Sequence, residues 1–192
     1  MYVRDAKNRE EVWLLDHLEA MGLDETAFRS RDYVIALDEE SGTKAGFGRI
    51  RIHKTEGDDD VCELTSIGVL DGWRDQGVGA HVVERLVEHA RDEGFSFVYA
   101  LVDEPSYLAQ FGFERIGEGE LPDALHARME GKREGRPDTV PMLLSVSEFV
   151  MPDRLRQRFK GAAPDEDEDP EESAEDFGID PDSASYKYDT GE

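Results

Sequence analysis

The 192-residue chain is poor in cysteine, in lysine and in long apolar runs. Its one cysteine, Cys62, excludes an internal disulfide and a multi-cysteine metal site, and its place in an apolar stretch reads as a buried, inert thiol. No run approaches the roughly 18 apolar residues that a bilayer-spanning helix requires. The opening segment Met1-Tyr2-Val3-Arg4-Asp5 lacks the apolar core of a signal peptide, so a cytoplasmic protein without membrane contact is expected. Basic residues are scarce too, 22 Lys+Arg against 46 Asp+Glu, and they form no stripe that would neutralise phosphates. Nucleic acid is therefore not an expected partner.

What the chain has in excess is acid. Its formal net charge is −24, and residues 161–192 carry 13 acidic residues against one lysine. Half of the excess thus lies in the last 32 residues and half in the first 160. Sixteen arginines against six lysines in an acidic body suggest a halophilic protein, whose carboxylate-rich surface stays solvated at high salt and repels itself at low salt. An ordinary acidic protein with a solvated tail is the alternative. The apolar clusters fall almost wholly within the first 160 residues. That distribution predicts one domain over 1–150, a terminal helix or linker over 151–160, and a disordered acidic tail over 161–192.

One stretch carries chemistry in its spacing. Leu64-Thr65-Ser66-Ile67-Gly68-Val69-Leu70 is short, apolar and β-branched, as a buried strand is. Arg74-Asp75-Gln76-Gly77-Val78-Gly79-Ala80 follows and opens a helix that carries Val78, Val82, Val83, Leu86, Val87 and Ala90 on one face and ends at Gly94. A strand, a glycine loop and a helix start leave several N–H groups unpaired and aligned with the positive end of the helix dipole, which makes an anion site suited to a phosphate or pyrophosphate. The loop is no Walker A motif, since no Gly-Lys-Ser or Gly-Lys-Thr follows. It is an incomplete dinucleotide fingerprint, since Val82 stands where the third glycine would fall.

The pattern R-x-x-G-x-G-A directly after a strand resembles the pyrophosphate loop of the GNAT superfamily of N-acetyltransferases. Glu63-Leu64 with Ile67-Gly68-Val69 resembles the strand before that loop, and Tyr107-Leu108-Ala109-Gln110-Phe111-Gly112-Phe113 resembles the aromatic and Gly-Phe segment after the next strand. The likeness covers roughly 1–150 and is densest over 61–116. Leu121-Pro122-Asp123-Ala124-Leu125 further resembles the end region of the N-acetylglutamate-synthase-like branch.

The resemblance implies an α/β (α+β) fold: a mixed, mostly antiparallel sheet flanked by helices and splayed at two central parallel strands. It also implies transfer of an acetyl group from acetyl-CoA to a primary amine of a small molecule or amino acid, by direct attack in a ternary complex and without a metal. In that reading Arg74, Asp75, Gln76, Gly77, Val78, Gly79 and Ala80 cradle the pyrophosphate, and Ile67, Gly68 and Val69 pair with the pantetheine arm. Glu63 is the candidate general base. The candidate general acid is Tyr107, although Leu108 occupies the place where the family's tyrosine usually lies. The partners implied are acetyl-CoA and an amine acceptor, with a homodimer left open. A non-catalytic acyl-CoA sensor or scaffold with an acidic interaction tail is the competing reading. An acidic body favours a cationic acceptor such as a polyamine, and the branch resemblance favours an amino acid.

Elsewhere the pattern predicts strands over 2–5, 33–38, 44–54, 97–102, 113–116 and 140–146. It predicts a helix from Asn8 to Met21 with Val12, Leu15 and Leu18 inward, a helical turn over 24–28, a short helix over 105–110, a helix starting near Asp123 and ending before a loop over 131–137, and a weak helix over 149–159. His81, Glu84 and His89 lack H-E-x-x-H spacing and read as a solvated helix face.

Overall fold

A computed structural model describes residues 1–57 and 59–164. Among these residues seven strands form one sheet: β1 (Tyr2–Asp5), β2 (Tyr33–Leu37), β3 (Lys44–His53), β4 (Val61–Val69), β5 (Phe97–Val102), β6 (Glu114–Arg115) and β7 (Val140–Ser145), in the order β1-β2-β3-β4-β5-β7-β6. Every neighbouring pair is antiparallel except the central β4 and β5. Among the described residues five α-helices flank the sheet: α1 (Glu11–Ala20), α2 (Val78–Asp92), α3 (Pro105–Ala109), α4 (Asp123–Gly135) and α5 (Asp153–Lys160). The fold is the mixed α/β arrangement expected, with its parallel pair at the centre.

The period-2 alternation of the central strands decides what each face meets. Ile50 of β3 and Cys62 and Leu64 of β4 pack with Val82, Val83 and Leu86 of α2 in the main core. The helix comes in close: a Cβ on Gly48 would stand 2.6 Å from Val82 Cγ1. On the opposite face the apolar cover is in two patches. Leu14 and Leu18 of α1 pack with Tyr33, Ile35 and Phe47, and Leu125 and Met129 of α4 pack with Val61 and Leu101. Arg49, Arg51, Glu63 and Thr65 share this face by strand parity, on the two strands between those patches.

Several expectations are corrected. The first helix is preceded by a 3-10 turn, Asn8–Glu10, whose tighter winding rephases the residues that follow. Leu14 and Leu18 point inward while Val12 is 70% exposed. Residues 24–28 form no helix; Arg49 holds them as a turn. The α4 helix runs on to Gly135 through the expected loop. Its interior glycine, Gly131, costs about 1 kcal/mol, and Lys132 and Arg133 tie this turn to Leu101 O and Thr139 O. His81 is buried, not solvated. The expectation of a disordered tail falls, from residue 165 on, outside the described residues. Among the described residues no helix is long and apolar enough to cross a membrane, and no group of three His, Cys, Asp or Glu is placed to hold a metal ion.

Candidate functional site

The parallel ladder between β4 and β5 is only two pairs long, Glu63 with Tyr99 and Leu64 with Ala100. Beyond it the strands part. Two departures from regular pleating accompany the split. Ser66 adopts φ 51°, and the β3–β4 register slips by one residue between Phe47 and Arg49, so β4 carries a bulge opposite Gly48. Past the split, β4 remains paired to β3 through Gly68 and Val69, which turns the other edge of Ile67–Val69 toward the opening. The opening is a cleft of about 2200 Å³, several times a typical small-ligand pocket and wide enough for two substrates.

One end of the cleft is the glycine loop. Asp75 and Gly77 are both left-handed, φ 59° and 78°, and Gly77 caps α2. His81 N–H is the first to donate within the helix, to Gly77 O at 3.2 Å, so the amides of Val78, Gly79 and Ala80 have no acceptor inside it. A Cβ on Gly77 would collide with the Leu155 carbonyl oxygen. The loop is thus braced from outside by α5, which the sequence pattern predicts only as a weak helix. Phe159 stacks on His81 with ring centroids 3.8 Å apart, Arg158 Nη1 donates to Asp75 O at 3.2 Å, and Gln76 exchanges hydrogen bonds with Ala163 at 2.8 and 2.9 Å. Burial pushes the His81 imidazolium below its ordinary range, so the stacked ring is neutral. Arg74, Arg154 and Arg158 line this end.

Tyr107 also faces the cleft. A Cβ on Gly79 would stand 2.8 Å from its hydroxyl and 3.3 Å from Val69 Cγ2. The hydroxyl therefore lies where the end of β4 meets the start of α2. Burial pushes its ionisation up to about 12. Leu108 is buried.

The other end of the cleft holds an ion cluster. Glu63 is wholly buried. Arg128 of α4 grips it with two bonds, Nε to Oε2 at 2.6 Å and Nη2 to Oε1 at 2.9 Å. His53 Nε2 lies 2.8 Å from Oε2 and Lys132 Nζ 3.6 Å from Oε1. Burial alone would raise the Glu63 carboxyl, but the His53 and Arg128 hydrogen bonds and the Lys132 and Arg128 charges outweigh it and hold the group at about 2. Arg128 Nη1 also donates to Asp24 Oδ2 at 2.7 Å. Burial opposes ionisation of Asp24 as well, but hydrogen bonds from Thr26 and Arg128 keep its carboxyl well below the usual range. Arg49, itself 1% exposed, donates to the carbonyls of Thr26 and Ala27 at 2.8 and 2.6 Å and so fixes the turn that carries Asp24.

Of the residues singled out from sequence, Ile67, Gly68, Val69, Arg74, Asp75, Gly77, Val78, Gly79 and Tyr107 line the cleft, while Glu63, Gln76 and Ala80 lie behind its surface. Those missed are Arg49, Arg51, His53, Arg128, Lys132, Arg154 and Arg158. The repeat Arg49-Ile50-Arg51-Ile52-His53 held a readable signal, a strand with one apolar and one cationic face.

Residues 2–117 match the Acetyltransferase (GNAT) family. Mycothiol acetyltransferase of Thermobifida fusca is 30% identical over 112 residues, which are 55% of this chain and 34% of that protein. Among solved structures, N-acetylglutamate synthase from Neisseria gonorrhoeae, complexed with coenzyme A and N-acetyl-glutamate, aligns with TM-score 0.58 at 21% identity over 75% of this chain and 34% of its own. Rv2747 from Mycobacterium tuberculosis, in complex with CoA, aligns with TM-score 0.59 at 20% identity over 76% of this chain and 99% of its own. The chain thus spans about a third of the length of the acetyltransferase and of the synthase.

Proposed function

The chain belongs to the Acetyltransferase (GNAT) family, and from that premise we propose that it moves an acetyl group from acetyl-CoA to a primary amine of a small molecule or amino acid. The observation that carries the reading is the split between β4 and β5 with an open helix start at one end. In this reading the amides of residues 76–80 hold the diphosphate, helped by the helix dipole, and Arg74, Arg154 and Arg158 meet phosphate charge. The free edge of Ile67, Gly68 and Val69 pairs with the pantetheine amides as a strand would. The presence of CoA in the N-acetylglutamate synthase and Rv2747 structures supports the same ligand here.

The step is an attack of the neutral amine nitrogen on the thioester carbonyl carbon. The N–C bond forms, the C–S bond breaks, the nitrogen loses one proton and the departing thiolate gains one. An alkyl ammonium with a pKa of about 10.4 is neutral in only about one molecule in a few thousand at pH 7, so a proton acceptor is needed. Glu63 and Tyr107 are the candidate base and acid of this scheme. With Glu63 wholly buried and saturated by Arg128 and His53, relay of the proton through water is favoured over direct contact with the amine. The Tyr107 hydroxyl, held protonated, suits donation to the thiolate.

A second reading, uptake of acyl-CoA without turnover, draws support from the same saturation of Glu63. The two separate in one experiment. Calorimetry measures CoA binding, and a thiol-release assay follows acetyl-CoA with a panel of amines and amino acids. Binding with amine-dependent thiol release is expected; binding with no release across the panel would favour the sensor, and no binding would remove both.

A further inference from the structure

The acceptor end of the cleft is cationic although the chain as a whole is strongly acidic. Three cations, Arg51, Arg128 and Lys132, meet there with two carboxylates, Glu63 and Asp24. The pairing is uneven. Arg128 spends its fork on Glu63 and its remaining nitrogen on Asp24. Asp24 Oδ2 is thereby taken, and Arg51 Nη1 lies 3.7 Å from it, beyond hydrogen-bond reach. Arg51 Nη1 is buried and has no hydrogen-bond partner among the described residues, though Arg51 lines the cleft. Such a donor costs stability unless something fills it. Lys132 reaches across the split, with Nζ 3.2 Å from Thr65 Oγ1 and 3.1 Å from Leu101 O. It stands one residue past the last β4–β5 pair, Leu64 with Ala100.

We propose that this end of the cleft is a carboxylate subsite, and that the acceptor is an amino acid whose acid group sits on Arg51 and Lys132 while its amine faces the thioester. The inference rests on the acetyltransferase reading above. A cofactor that enters from the glycine loop and lies along Ile67–Val69 presents its acyl end toward Ser66 and Thr65, next to these cations. One anion against the exposed part of Arg51 restores the charge balance of the cluster; a polyamine there would add charge to an uncompensated cation. The acidic composition of the whole chain therefore does not set the acceptor, because in this cluster the two carboxylates are outnumbered by three cations.

The test uses the full chain and matched probes: L-glutamate and L-leucine, L-leucinamide, 3-methylbutylamine and spermidine. Thiol release and calorimetry in the presence of CoA are both read, so that an inactive but ligand-binding protein still gives an answer. An amino acid should be preferred over its amide and decarboxylated partner by about 10-fold or more, as the loss of a charge-assisted bond predicts. Arg51→Gln should raise KM or Kd for the amino acid by a similar factor and flatten that preference, with CoA affinity kept; Lys132→Gln should act in the same direction. Equal or better use of the amines, or an unchanged preference in both variants, would overturn the subsite while leaving acetyl transfer standing. Failure of the wild-type chain to bind CoA would remove the acetyltransferase reading and this one with it.

Discussion

Arg128 holds Glu63 in a two-bond fork, with Nε 2.6 Å from one carboxylate oxygen and Nη2 2.9 Å from the other. The pair joins α4 to β4 across 65 positions of sequence. Because Glu63 is wholly buried, removing its charge strands Arg128 and Lys132 rather than deleting a contact. Breaking a buried pair from one side costs about 3–5 kcal/mol. Glu63→Gln should therefore lower the unfolding free energy read from urea denaturation at pH 7 by an amount of that order. A variant of unchanged stability with a large fall in kcat would instead make proton transfer the chief duty of Glu63.

The same cluster sets an acid limit. The folded Glu63 carboxyl, at about 2, lies below its ordinary 4.5, and Glu10 is likewise held at about 2, by the Arg4 hydrogen bond against the opposing effect of burial. A carboxyl lowered by folding contributes stability that is complete above its unfolded value and lost as pH falls through the folded one. Each pH unit of displacement is worth about 1.4 kcal/mol. The neutral His81 acts in the same direction and earlier, since the unfolded chain takes up its proton first as pH drops below 6.5. The melting temperature should decline from about pH 6.5 and fall steeply between about 4.5 and 2. In Glu10→Gln the steep part should flatten. A melting temperature constant down to pH 3 would contradict these assignments.

Gly77 and Gly94 make a controlled pair. Both are left-handed, φ 78° and 88°, but a Cβ on Gly94 meets open space while one on Gly77 runs into the Leu155 carbonyl of α5. Gly94→Ala should cost about 1–2 kcal/mol of backbone strain alone. Gly77→Ala should cost more, displace α5 and weaken CoA binding. Chemical denaturation with calorimetry checks both, and equal costs with equal CoA affinity would show that α5 does not brace the loop.

The contrast between these elements shows what a sequence can carry. The glycine loop was legible because its chemistry is local: Gly77 and Gly79, the strand before and the amphipathic helix after all lie within residues 61–92. Strands β3, β4 and β5 were legible for the same reason. The ion cluster was half legible, since alternation in β3 and β4 puts Arg49, Arg51, Glu63 and Thr65 on one face. Their partners were not. Arg128 lies 65 positions from Glu63 and 104 from Asp24, on a helix whose two glycines argue against helix in isolation. Nor does α5 announce that it braces a loop over eighty positions earlier, as Arg158 does at Asp75. His81 read as solvated because a histidine beside glutamate looks polar; stacking on Phe159 is a tertiary fact.

Tyr107 separates chemistry from packing. Its hydroxyl lies against Gly79 and Val69, and its ring packs edge-on against Phe111 at 5.5 Å between centroids. With ionisation pushed up to about 12, it stays protonated across the working range and brings no basic limb to the rate profile below about pH 11. If it protonates the departing thiolate, Tyr107→Phe keeps the ring contact and loses only the proton. A thiol of pKa about 8.5 leaves tolerably without help, so the expected fall in kcat is modest, about 10- to 100-fold against the larger factors general acids can supply. KM for acetyl-CoA and the melting temperature should hold. The loss should be greater for a thioester with a more basic leaving thiol than for acetyl-CoA, because only a proton donor feels that difference. A uniform loss across thioesters, or a rise in KM without change in kcat, would assign Tyr107 to the wall of the cofactor channel instead.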